Sequence, residues 1–126
     1  MSSFLDDLTR FTAKTERTLQ DGFVASCADA KDSIVNGSAV TGAPGQVVAD
    51  EHGGQLKGSW QLRFESPTVA VIETACPWAP QNEDGIARPG GGPYVQRSAT
   101  GGRWSVRKTI IGWPRIVEAA FARIVK

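Results

Sequence analysis

No proline interrupts the first 43 residues, and within that stretch one repeat dominates. Phe4, Leu8, Phe11, Thr15, Leu19, Phe23, Cys27, Ala30 and Ile34 recur at three- and four-residue steps. That spacing places them on one side of a helix and predicts an amphipathic helix over residues 3–35. Ser2 or Ser3 suits its N-cap, and Asp6 and Asp7 suit the positive end of its dipole. Asn36-Gly37 ends it. Gly22 weakens the middle, so the segment reads as one bent helix or two consecutive ones. A stripe of this kind is more often core than a binding surface, and it is expected to be buried.

The rest of the chain alternates between loops and short regular elements. Residues 36–55 hold Gly37, Gly42, Pro44, Gly45, Gly53 and Gly54, a density that marks a long loop, with room for a short strand at Gln46-Val47-Val48. In Ser59-Trp60-Gln61-Leu62-Arg63-Phe64, Trp60, Leu62 and Phe64 alternate with Gln61 and Arg63, which predicts a strand with one buried face. Ser66-Pro67 turns the chain into a second strand, Val69 to Ala75, completing an antiparallel hairpin. Residues 77–102 carry Pro77, Pro80, Pro89, Gly90-Gly91-Gly92, Pro93 and Gly101-Gly102, and read as a projecting arm or an extended hairpin.

From about Ser105 to Ile124 the pattern returns to a helix, with Val106, Ile110, Trp113, Val117, Ala120, Phe121 and Ile124 on one face. Pro114 allows two solutions. One is a kinked helix, the favoured reading. The other is a strand near Trp104 to Ile111 followed by a helix with Pro114 at its first position. Together these elements predict a single α+β domain over residues 1–126, its N- and C-terminal helices packed on a small antiparallel sheet with long Gly/Pro-rich loops. A length of 126 residues suffices for a core without a metal or disulfide staple.

Composition excludes more than it assigns. The formal net charge is +1, which favours neither nucleic acid nor membrane. The charges are uneven, however. Residues 86–126 hold eight basic side chains and one acid, which leaves six basic and twelve acidic in residues 1–85. The basic third is a solvated helix face or a surface facing DNA or an acidic neighbour, with Arg97, Arg103 and Arg107 at its centre. Cys27 and Cys76 each follow apolar residues and read as buried thiols, with a disulfide between them left open. The first residues lack a basic region and an unbroken apolar run, so no signal peptide or membrane span is expected. The protein is expected to stay in the cytoplasm where it is made, or to be built into a particle there.

Chemistry-bearing patterns are scarce. His52, the only histidine, lies in a glycine-rich loop with no second histidine and no nearby GxSxG, so a hydrolase built on it is the weakest reading. The glycine runs lack the Lys-Ser/Thr of a phosphate loop. Asp50-Glu51 and Glu83-Asp84 read as solvated loop acids rather than an acid/base pair. No catalytic residue, metal or cofactor is expected. Four tryptophans, Trp60, Trp78, Trp104 and Trp113, read mostly as core or interface, although Arg103-Trp104 also suits stacking on bases.

Two segments resemble the phage head–tail joining family, also described as neck, tail-completion or tail-terminator proteins. The family's first motif reads Asp-Thr-Gly-Arg-Leu-Arg-Gly-Ser before a strand. Here His52-Gly53-Gly54-Gln55-Leu56-Lys57-Gly58-Ser59-Trp60 matches it at Gly54, Leu56, Gly58 and Ser59 and keeps a basic Lys57, while His52 and Gly53 depart from the Asp-Thr pair. The second motif, Pro-Tyr-Ala, then Glu, then Gly, is similar to Pro77-Trp78-Ala79, Glu83 and Gly85. Trp113-Pro114-Arg115-Ile116 resembles an aromatic-Pro-x-aliphatic step near the family's C-terminus. The stretch from Ile86 to Gly102 is longer than the family's.

The resemblance implies a non-enzymatic virion protein at the head–tail junction, assembled in the host cytoplasm. It implies a homo-oligomeric ring, commonly sixfold, that contacts head-connector or stopper proteins and tail-tube proteins and has DNA passing through its lumen. Leu56, Ser59, Trp60, Trp78 and Trp113 become the expected fold or interface residues. Loops 36–55 and 77–102 become the expected subunit contacts. A small nucleic-acid-binding module using the basic third is the alternative.

Overall fold

The computed structural model describes residues 3–46, 55–76, 79, 83, 86–87, 96–97 and 104–125. The first helix, α1, runs unbroken from Ser3–Asn36. Gly22 neither splits it nor ends it. The Phe121 ring lies against the Gly22 backbone, so close that a Cβ there would stand 2.1 Å from the ring. The glycine costs about 1 kcal/mol of helix propensity and in exchange admits an aromatic ring.

After α1 the chain turns tightly. Ser38 and Ala43 form an isolated antiparallel bridge, and Gly37 and Gly45 take positive φ with neighbouring backbone where a side chain would sit. Ala43, Gly45 and Gln46 are buried. The Gln46 amide donates to the Ile34 carbonyl at 2.9 Å, satisfying one of the orphan acceptors at the end of α1. The beginning of the expected loop is therefore part of the packed body. The strand expected at Gln46-Val47-Val48 falls mostly outside the described residues.

One helical turn, α2 (Gln55–Gly58), leads into strand β1 (Gln61–Ser66), which pairs antiparallel with β2 (Val69–Glu73). Leu62 faces Ile72 and Phe64 faces Ala70 in the register, with a bulge between Phe64 and Ser66. The period of two is present, but the face it defines is only half-buried. Phe64 remains 42% exposed and touches the body through Phe23 of α1, ring edge to face at 6.1 Å. On the outer face Arg63 donates to Glu73 and Glu65 at 3.0 and 2.9 Å. Glu73 first, then Glu65, raises the Arg63 pKa above its already high ordinary value. Farther on, β3 (Ile86–Ala87) pairs antiparallel with β4 (Gln96–Arg97).

The C-terminal segment forms α3 (Ser105–Ile111) and α4 (Trp113–Ile124). Residues 105–111 are helical, not a strand. Pro114 stands in the first turn of α4, where its missing N–H costs little. Hydrogen bonding carries through the junction, because Gly112 N donates to Lys108 O and Ile116 N donates to Gly112 O. The result combines both sequence solutions, a bend at Gly112 with the proline at a helix start. Gly112 is buried, and a Cβ there would stand 2.8 Å from Thr41, which explains the glycine.

The fold is α+β. Its core lies where the C-terminal half of α1 meets α3 and α4, with the β1–β2 hairpin alongside. Ser26, Cys27, Ala30, Ser33 and Ile34 of α1 are buried there with Ser105, Thr109, Ile116 and Ala120. Small residues dominate this contact and let the helix backbones approach closely. The buried line of α3 is Ser105 and Thr109 rather than Val106 and Ile110, which corrects the face assigned from hydrophobicity. Ile110 is 68% exposed.

Candidate functional site

Hydroxyls fix how the helices meet. Ser33 Oγ lies 2.7 Å from Thr109 Oγ1 and 2.7 Å from Thr41 Oγ1, tying α1 to α3 and to the turn after α1. Ser105 Oγ donates to the Gly45 carbonyl at 2.9 Å. These bonds satisfy polar groups that the close approach would otherwise strand without water.

The start of α3 is held by an acid distant in sequence. Glu83 accepts from Val106 N at 2.9 Å through Oε1 and from Arg107 N at 2.8 Å through Oε2. Its carbonyl accepts from Trp104 N at 2.9 Å. A carboxylate at this place satisfies two otherwise open N–H groups and opposes the helix dipole. Glu83 is therefore a helix cap, not the solvated loop acid expected of it. Trp104, at φ 57, takes the left-handed conformation that starts α3, and the Arg107 guanidinium lies 4.7 Å over its ring.

Among the described residues two apolar surfaces stand out. The first is the N-terminal half of α1. Every side chain from Ser3 to Arg17 is exposed, with Phe4 at 75% and Phe11 at 67%, and Leu5, Leu8 and Leu19 also exposed. The stripe expected to be core is core only from Gly22 onward. The second is a half-open groove of about 410 Å³ in the body. Phe23, Cys27, Ala30 and Ile34 of α1 form one wall, Ala70 and Ile72 of β2 another, and Val106, Thr109, Ile110 and Trp113 a third. Ile111, 75% exposed, follows Ile110 at the end of α3. Burial in this wall pushes the Cys27 thiol pKa up, because desolvation disfavours the thiolate. Cys27 and Cys76 are both buried and free.

The residues singled out from the sequence are dispersed. Leu56 lies on α2. Ser59 Oγ is 2.5 Å from Thr74 Oγ1 and so closes the mouth of the β1–β2 hairpin. Trp60 precedes β1, and its indole nitrogen is buried with no hydrogen-bond partner among the described residues. Trp113 lines the groove. Arg97 is on β4, and Arg107 is exposed on α3. Trp78, Arg103 and His52 lie outside the described residues. Thus the structure brings Trp113 to the groove and Arg107 to Trp104. Among the described residues the exposed basic side chains of the C-terminal helices are Arg107, Lys108, Arg115 and Arg123, and Arg123 pairs with Asp29 at 2.8 Å.

Sequence reasoning missed Glu83 as a cap and Phe4, Leu5, Leu8 and Phe11 as a surface. One signal separates the two halves of α1. Gly22, Ser26, Ala30 and Ser33 form a line of small residues in the buried half, whereas Phe4, Leu8 and Phe11 carry the stripe from Ser3 to Arg17. Among the described residues no three His, Cys, Asp or Glu side chains converge as a metal site. None of the described helices is long and apolar enough to cross a membrane. No family model, curated protein or solved structure matches the chain.

Proposed function

We propose that the protein is a structural subunit of the head–tail junction of a tailed phage, a tail-completion or terminator subunit that joins the tail to the head. The observation that carries this reading is the free half of α1. Phe4, Leu5, Leu8 and Phe11 are exposed along one helix, and a contiguous apolar surface of that kind marks an assembly contact. The order of motifs supplies the type of assembly. Two motif residues, Ser59 and Glu83, have framework roles, closing a hairpin and capping a helix. Such roles suit a structural motif better than a catalytic one. The partners in this reading are copies of the chain in a ring, commonly sixfold, with connector or stopper proteins on one side and tail-tube proteins on the other. No cofactor has a role in it.

The test is mass spectrometry of purified virions, with negative-stain imaging of the concentrated protein. The expected result is the chain in the virion and a ring with a central hole. Its absence from virions rejects the proposal.

The exposed Arg107–Trp104 stack favours a second reading, a nucleic-acid-binding module in which the pair grips a base or phosphate. Binding to single- or double-stranded DNA that weakens steeply with salt, and more weakly still in Arg107→Ala, is the expected outcome. No binding at low salt dismisses it.

A further inference from the structure

We draw no further inference here: the strongest candidate, the half-open apolar groove between Cys27 and Ile34 of α1, Ile72 of β2, and Ile110 and Trp113 of the C-terminal helices, carries nothing because nothing in the structure shows what covers it.

Discussion

The two halves of α1 carry the same apolar repeat and meet opposite surroundings. From Gly22 to Ile34 the helix presents Gly22, Ser26, Ala30 and Ser33, and α3 and α4 lie close against it. From Ser3 to Arg17 it presents Phe4, Leu5, Leu8 and Phe11, and nothing in the described chain covers them. The difference lies in shape rather than hydrophobicity. Small residues permit a close, polar-satisfied helix contact within one chain, whereas large side chains on a free helix act as anchors for a separate surface.

The most severe test of this contrast places the same charge in each half of the comparison. Ala120, fully buried where α4 meets α1, has no room and no partner for a carboxylate. Ala120→Asp is expected to cost about 3–5 kcal/mol and to abolish the cooperative urea transition. Phe11→Asp in the free half should leave the midpoint within about 0.5 kcal/mol of wild type and change only association. Equal destabilisation by both would erase the distinction between the halves.

A smaller effect comes from the notch itself. In Gly22→Ala the new methyl meets the Phe121 ring, and the gain in helix propensity offsets only part of the overpacking, for a net loss of about 1–2 kcal/mol. Trimming the ring in Gly22→Ala/Phe121→Leu should make the two losses less than additive, as contact demands. Ser33→Ala belongs to the same range. It leaves the buried Thr109 hydroxyl without its Ser33 bond, and about 1–3 kcal/mol should be lost in urea unfolding.

The elements were legible in the sequence because their signals are local. The period of α1, the alternation of β1 and the Asn36-Gly37 stop each arise within a few residues. Less legible was what each element meets. Thr109 and Ser105 form the buried line of α3 because Ser33 and Gly45 stand opposite, and no periodicity records a partner distant in sequence. For the same reason Val106 and Ile110 were assigned to a buried face. The free half of α1 was read as core because a stripe specifies burial without naming the chain that provides it. Glu83 was misread because its carboxylate reaches a helix start more than twenty residues away. Of the expected interface residues, Trp113 reaches a candidate surface and Ser59 a framework bond.

Glu83 gives the next smaller effect. Glu83→Ala removes both side-chain cap bonds of α3 and is expected to cost about 1 kcal/mol, read from the urea midpoint. An unchanged midpoint would reject that role.

The smallest expected effect is a pH dependence confined to the docked half of α1. Cys27 is buried in the groove wall, and burial disfavours its thiolate, so its folded pKa lies above the unfolded one. Below the ordinary thiol pKa of about 8.5 both states hold the proton and the thiol contributes no slope. As pH rises beyond that value the unfolded chain loses the proton while the folded chain keeps it, and stability falls until the folded pKa is passed. Urea midpoints of wild type should therefore decline more steeply in this alkaline window than those of Cys27→Ala, whatever the offset between the two proteins at neutral pH. Thiol alkylation at Cys27 should likewise proceed only as fast as the docked half opens. Equal alkaline slopes with rapid alkylation would mean that α1 separates readily from α3 and β2 around Cys27, and that the two halves of the helix differ less than their packing indicates.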